Sequence, residues 1–367
     1  MVFLLRSLEE KENKMDKKDI KSMNLSELKE EMNFLGEKAF RAKQIFEWIH
    51  GKLIQDIDEM TNISEKLRGI LKEKYQFTTL EIVDKQVSKI DGTAKYLFRL
   101  SDGNLIESVL MRYKHGNSVC ISSQAGCRMG CKFCASTIAG LKRNLLPSEM
   151  LEQIYRIQRE TGERVSNIVV MGTGEPFDNY DNLIGFLKLI TDENGLNISA
   201  RNITVSTCGI VPKIKEFAEE NMQVTLAISL HAPNDEKRKA MMPIANKYSI
   251  EELLEACRYF FEKTGRRITF EYSLADGVND SDADARELIS LIKGMNCHVN
   301  LIPINPVEEL SFEGSAKKVA ENFKNKLEKS RINVTIRREM GRDIDGACGQ
   351  LRRRHEENVG EDGTKEC

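Results

Sequence analysis

Three cysteines in the run Cys127-Arg-Met-Gly-Cys131-Lys-Phe-Cys134 carry the strongest chemical signal in the chain. Their Cys-x3-Cys-x2-Cys spacing lets three thiolates converge on one inorganic centre, as thiolates do around iron–sulfur clusters. A [4Fe–4S] cube wants one ligand per iron, so three thiolates leave one iron open for a small molecule. A zinc knuckle is the alternative. Closed structural zinc sites take four protein ligands, and the nearest further cysteine on the upstream side, Cys120, lies seven residues away.

Other residues with chemical potential stand where a parallel α/β protein keeps its site. Gly172-Thr173-Gly174-Glu175-Pro176 is a turn whose glycines allow close backbone approach to a ligand. Ser206, Ser229-Leu230-His231 and Asn305 each close or follow an apolar, β-rich run. Cys348 lies among small residues in Gly341-Arg-Asp-Ile-Asp-Gly-Ala-Cys-Gly-Gln350, with arginines nearby that favour a reactive thiolate. Cys208, Cys257 and Cys297 sit in or beside apolar runs and read as inert core thiols. Glu107 shares strand alternation with Leu105, Val109 and Met111, which puts a carboxylate on an otherwise apolar face.

The elements that must position these groups alternate regularly. Strands are predicted at 119–122, 165–171, 202–207, 224–230, 267–274 and 298–304, with helices near 147–161, 180–192, 212–221, 249–264, 281–294 and 315–330. Six strand–helix repeats predict an α/β fold, a partial six-stranded parallel βα barrel with its chemistry at the carboxyl ends of the strands. A last strand is expected at 332–338, before a Gly-rich loop that carries Cys348 and a polar tail, together 341–367. Ahead of the barrel core (119–340), turns at Asp91-Gly92 and Asp102-Gly103 predict a small β meander over 76–118. Residues 24–75 read as a helical domain: Asn24 and Glu27 have capping-box spacing, and Phe40, Ile45, Ile49 and Leu53, with Trp48, form an apolar stripe. Residues 1–23 are charged and weakly patterned, so disorder, or a true start at Met15, is expected there.

At 367 residues, 40% apolar and 31% charged, the chain can bury a sizeable core. A net charge of -2 advertises no polycation. Lys237-Arg238-Lys239, Arg266-Arg267, Arg337-Arg338 and Arg352-Arg353-Arg354 read as solvated surface charge that is also compatible with an RNA groove. No run is long enough to span a membrane, and nine cysteines without dense pairing fit a reducing, cytoplasmic setting.

With these motifs in place, the sequence from about 24 to 350 resembles the RlmN family of radical S-adenosylmethionine (SAM) enzymes, the dual-specificity 23S rRNA and tRNA adenine-C2 methyltransferases. The likeness rests on Cys120-Ile-Ser-Ser-Gln-Ala-Gly-Cys127 with Cys131 and Cys134, on Gly172 to Pro176, on Ser229-Leu-His-Ala-Pro233, on Ile304-Asn-Pro306 and on Asp345-Gly-Ala-Cys-Gly349. It implies a [4Fe–4S] cluster on Cys127, Cys131 and Cys134. Two molecules of SAM are used per turnover, with Gly174 and Glu175 at the SAM ammonium, and Ser206, Ser229, Leu230, His231 and Asn305 around the rest of that ligand.

The resemblance also implies a mechanism. Adenine C2 is electrophilic and cannot attack the SAM methyl directly. One SAM first methylates the cysteine matching Cys348; a second gives a 5′-deoxyadenosyl radical that takes hydrogen from that methyl. The carbon radical adds to C2, and the cysteine matching Cys120 then attacks the Cys348 sulfur, which releases methylated RNA and leaves a disulfide to be re-reduced. Those cysteines are 228 positions apart and must meet within bridging distance. Glu107 matches the family's proton acceptor. Residues 24–75 match a domain that helps to bind structured RNA, and base flipping is implied. The implied partners are 23S rRNA, tRNA and a low-potential electron donor of flavodoxin or ferredoxin type, with the enzyme a cytoplasmic monomer. The related C8-methylating resistance enzymes (Cfr family) share the cysteines, but Pro176 after Glu175 favours the C2 branch.

Overall fold

The computed structural model describes residues 17–304, 312–345 and 349–355. Asn305 and Cys348 lie outside the described residues.

Helix α1 (Leu25–Phe34) starts where the capping-box spacing places it. Asn24 Oδ1 accepts the Ser26 and Glu27 N–H groups at 2.8 and 3.0 Å, and Glu27 returns the bond to the Asn24 N–H at 2.7 Å. Helices α2 (Phe40–Phe46), which runs on into a π-helical turn, and α3 (Glu65–Lys74) complete this module. Phe40 departs from the expected stripe: it is 52% exposed, whereas Ile45, Ile49 and Leu53 are buried. Residues 17–23 also differ from expectation. Ile20–Ser22 form a 3-10 turn capped by Asp19, Ile20 joins the core, and the buried Lys21 ammonium pairs with Glu152 at 2.9 Å. A charge-rich composition misleads here because one lysine is neutralised across the fold by a carboxylate 131 positions away.

The meander consists of β1 (Glu81–Val87), β2 (Ala94–Arg99) and β3 (Leu105–Tyr113), all antiparallel, and β3 pairs antiparallel with β4 (Gly116–Cys120). From β4 the sheet turns parallel through β7 (Val165–Val170), β8 (Ile203–Thr207), β9 (Thr225–Ser229), β10 (Ile268–Leu274), β11 (Cys297–Pro303) and β12 (Asn333–Ile336). β1 and β12 are the two edges of one ten-stranded sheet, so the barrel stays open, as the six-repeat pattern predicts. The crossover helices are α4 (Pro147–Thr161), α5 (Tyr180–Ile190), α6 (Val211–Glu219), α8 (Ile250–Thr264), α9 (Asp282–Leu291) and α10 (Lys317–Lys329). Two features escape the alternating pattern: a hairpin of β5 (Gln124–Gly126) and β6 (Leu141–Asn144), and the short helix α7 (Asp235–Met241). Among the described residues no helix is long and apolar enough to cross a membrane.

Strand alternation sorts the sheet into two faces. Val119, Ile168, Val170, Ile203, Val205, Leu226, Ile228, Phe270, Tyr272, Val299, Leu301 and Val334 all enter one continuous apolar core. Their neighbours point the other way, because successive strand side chains take opposite faces. Register then aligns that second face across the strands: Val109 opposite Cys120, Ser206 opposite Ala227, Ser229 opposite Glu271, Glu271 opposite Asn300, and Asn300 opposite Thr335. A polar face opposite an apolar core is where this sheet can receive ligands.

Candidate functional site

The three cysteines lie inside the β5–β6 hairpin, directly after β4. Gly126 has φ +79°, and a Cβ there would fall 1.9 Å from the Gly140 carbonyl oxygen, so only glycine lets the two arms close. Cys127 N–H donates to that same carbonyl at 3.1 Å, and Cys134 N–H donates to the Cys131 carbonyl at 3.1 Å. Cys127 and Cys131 are buried and Cys134 half-buried. Burial, reinforced by the neighbouring thiols, pushes Cys127 up to about 12 and Cys131 higher still. Thiols pushed towards the protonated form by burial and by one another need cationic compensation to act as thiolates, which an iron core would supply. Among the described residues no three His, Cys, Asp or Glu side chains are grouped as ligands of a single metal ion. Three cysteines on the one loop of this hairpin are a donor set that fits a cluster taking one thiolate per iron. Gly126→Ala should abolish iron retention and lower Tm by several degrees, read from iron content and thermal unfolding of anaerobically reconstituted protein.

The Gly172–Pro176 turn is laced to the segment that joins Cys120 to Cys127. Gly172 N–H donates to the Ile121 carbonyl at 2.9 Å, Thr173 N–H to Ser122 Oγ at 3.0 Å, and Glu175 N–H to Gln124 Oε1 at 2.8 Å. Gly174 has φ +114°, and its missing Cβ would lie 2.8 Å from the Gln124 nitrogen. Glu175 is buried. Burial raises its pKa, while the Cys208 and Phe177 N–H groups, at 2.7 and 3.0 Å, stabilise its ionised form. Gln124, whose side chain bridges this turn to Asn144 and Asp178, has no sequence signal beyond its place in the cysteine-bounded segment.

Ser206 and Ser229 are half-buried on the polar face at the carboxyl ends of β8 and β9. Leu230, between Ser229 and His231, offers backbone rather than side chain to this face. Its side chain belongs to the apolar core, its N–H donates to the Glu271 carbonyl, and its carbonyl accepts from Arg238. His231 has φ +56°, an uncommon backbone for a non-glycine residue. It packs edge-on against Phe133 of the cysteine loop at 4.8 Å, and its Nδ1 accepts the Ser273 N–H at 2.9 Å, which requires a neutral ring.

Burial, with the Arg238 charge adding to it, brings His231 down to about 3, and burial first, then Lys21, does the same to His50. Both rings bind protons in the unfolded chain below about pH 6.5 and not in the fold, so their contribution is full at neutral pH and lost as pH falls from there towards 3. Each should cost about 2 kcal/mol at pH 5. His50→Gln should flatten the fall of unfolding free energy between pH 7 and pH 5 by about that amount, as read from urea titrations; an unchanged slope would exclude it.

Cys120 ends β4, buried, on the polar face. Glu107 shares that face one strand away, and its carboxylate is not in apolar surroundings. It is 3.1 Å from the buried Lys95 ammonium, accepts the Gly349 N–H at 2.6 Å on Oε2, and accepts the Arg352 N–H at 2.8 Å on Oε1. Lys95 also donates to the Asp345 carbonyl at 2.6 Å, and Gln86 grips Asp345 through its N–H and its carboxylate, both at 2.9 Å. Both described flanks of Cys348 are thus tied to the meander. Gly349 also packs on the cysteine loop, since a Cβ there would meet Ala135 at 3.1 Å. Sequence reading missed Lys95. Its one signal was a charged residue inside the apolar run Ala94-Lys-Tyr-Leu-Phe98.

Comparison with known proteins agrees with this geometry. Residues 121–289 match the radical SAM superfamily model, and residues 18–76 match the ribosomal RNA large subunit methyltransferase N-terminal domain. The "Probable dual-specificity RNA methyltransferase RlmN" of Lachnospira eligens is 67% identical over 94% of this chain and 98% of its own length. This chain belongs to the RlmN family. A relative of the same name from Lachnoclostridium phytofermentans is 62% identical over 92% of this chain and 95% of its own length. The crystal structure of a radical SAM methyltransferase from Sphaerobacter thermophilus superposes with a TM-score of 0.86 at 45% identity, covering 91% of this chain and 98% of that one. The cofactors are those of the family, a [4Fe–4S] cluster and SAM.

Proposed function

We propose that this chain methylates C2 of an adenine in 23S rRNA and in tRNA, through methylated Cys348 and a transient Cys120–Cys348 disulfide. The supporting observation is the anchoring of Asp345 and Gly349: both described flanks of Cys348 are bound to the meander, whose last strand pairs with the strand of Cys120, and Gly349 packs on the cysteine loop. When bound, the cluster and SAM supply one-electron cleavage chemistry. Cys127, Cys131 and Cys134 hold the cluster. Gly174 and Glu175, tied to the segment that leads into Cys127, would take the SAM ammonium, with Ser206, Ser229, Leu230, His231 and Asn305 around the rest of that ligand. Glu107, besides acting as proton acceptor, holds the Cys348 segment in place.

Residues 24–75 assist RNA binding, and the exposed Phe34 and Phe40 rings, with Lys74 over Phe34, offer stacking surfaces. Unstacking of the target base is required, because Cys120 is buried on the polar face. The enzyme acts in the cytoplasm as a monomer and takes electrons from a flavodoxin or ferredoxin type donor. Mass spectrometry of nucleosides from rRNA and tRNA, after anaerobic incubation with reconstituted enzyme, SAM and reductant, tests the reading. 2-Methyladenosine is expected in both RNAs. 8-Methyladenosine would move the chain to the C8 chemistry.

A further inference from the structure

Arg238 stands in the middle of the Lys237-Arg238-Lys239 run, where the sequence suggests solvated charge, yet its side chain is fully buried. From α7 it reaches under two strand ends. Nη2 donates to the Cys208 carbonyl at 2.7 Å and the Ser229 carbonyl at 3.3 Å, and Nε donates to the Leu230 carbonyl at 3.3 Å. Every one of these partners is neutral, and Nη1 has no hydrogen-bond partner. A buried charge is costly unless an opposite charge compensates it, and a buried donor left unpaired points to a group that completes the site.

The surroundings say what kind of group this is. Burial lowers the guanidinium pKa, and the groups that oppose this most are the Cys208 and Cys131 thiols, ahead of Asp235. Asp235 is engaged elsewhere, accepting the Ile250 N–H at 2.9 Å. Cys131 and Cys208 share one apolar cluster with Met241 and Met242, one turn beyond Arg238, and the Met241 carbonyl accepts the Lys132 N–H at 2.9 Å. Cys208, whose carbonyl Arg238 grips, also binds Glu175 through its N–H. α7 is therefore docked on the cysteine loop, and its buried cation holds the carbonyl of Cys208, which shares an apolar cluster with Cys131.

We propose that Arg238 is the buried counter-cation of the iron–sulfur centre. It offsets the negative charge that three thiolates bring and raises the potential at which the centre takes up an electron. Three thiolates leave the oxidised cube with net negative charge and each electron adds to it, so a fixed cation in a low-dielectric site favours the reduced state. The assignment rests on the cluster reading alone and is independent of which RNA is methylated.

The experiment is an anaerobic redox titration of reconstituted wild type, R238Q and R238K, followed by EPR without RNA, with iron counts, Tm and SAM affinity measured on the same samples. R238Q should be about tenfold harder to reduce, a midpoint about 59 mV more negative, and R238K, which keeps the charge, should stay close to wild type. If R238Q binds no cluster while R238K loads fully, the charge is again what matters. The proposal is overturned if loaded R238Q titrates at the wild-type potential, if both variants shift equally, or if both lose iron and Tm together, which marks a carbonyl clamp. A tenfold loss of SAM affinity at unchanged potential would likewise overturn it and reassign the cation to that ligand.

Discussion

Cys120→Ala should leave a covalent enzyme–RNA species that wild type does not accumulate. In the proposed reaction the RNA is attached through a methylene carbon to the Cys348 sulfur, and only a second thiolate can take that sulfur as the new S–S bond forms. Cys120 is placed for that step at the carboxyl end of β4, on the same face as Glu107, which binds the Gly349 N–H. Alanine removes the attacking sulfur and leaves little room for water, since the position is only 6% exposed. Methylated product should fall at least a hundredfold while iron content stays at the wild-type level. A denaturing gel should show a slow, nuclease-sensitive band for Cys120→Ala and none for the double variant that also carries Cys348→Ala. Free 2-methyladenosine at the wild-type rate from Cys120→Ala would remove Cys120 from the reaction.

Lys95→Met should be among the most destabilising single changes in the meander and should also disable catalysis. The Lys95 and Glu107 side chains are 0% and 5% exposed and 3.1 Å apart. Removing one member of a buried pair leaves the other charge uncompensated, which costs about 3–5 kcal/mol; the two N–H donors on Glu107 place this case near the lower end. The lysine also holds the Asp345 carbonyl, so the Cys348 segment loses one of its ties. Urea unfolding should show the loss of stability. Tryptic cleavage at Arg352–Arg354 should become faster than in wild type at equal fraction folded. Lys95→Met with Glu107→Gln, which removes both charges, should recover much of the stability and none of the methylation. Equal stability of Lys95→Met and wild type would show that the pair contributes nothing.

The cysteine spacing, the βα periodicity and the capping box are local facts, and sequence alone determined them. The Cys-x3-Cys-x2-Cys spacing of thiols, a strand's alternation and the Asn24–Glu27 reciprocity each depend on residues a few positions apart. That is why the strand predictions at 165–171, 202–207 and 267–274 match β7, β8 and β10 within a residue at each end. Alternation also decided which side chains of each strand face away from the core. It could not decide which of them meet. Register across the strands put Glu271 between Ser229 and Asn300, and the antiparallel step from β3 to β4 brought Glu107 to the face of Cys120.

Charged residues were least legible for the same reason. Lys21, Lys95 and Arg238 look like surface charge in the sequence and are all fully buried. Lys21 and Lys95 pair with Glu152 and Glu107, 131 and 12 positions away. Arg238 holds the carbonyls of Cys208, Ser229 and Leu230. A residue's own neighbourhood fixes its secondary structure, but whether its charge can be buried depends on what the folded chain brings to it from elsewhere.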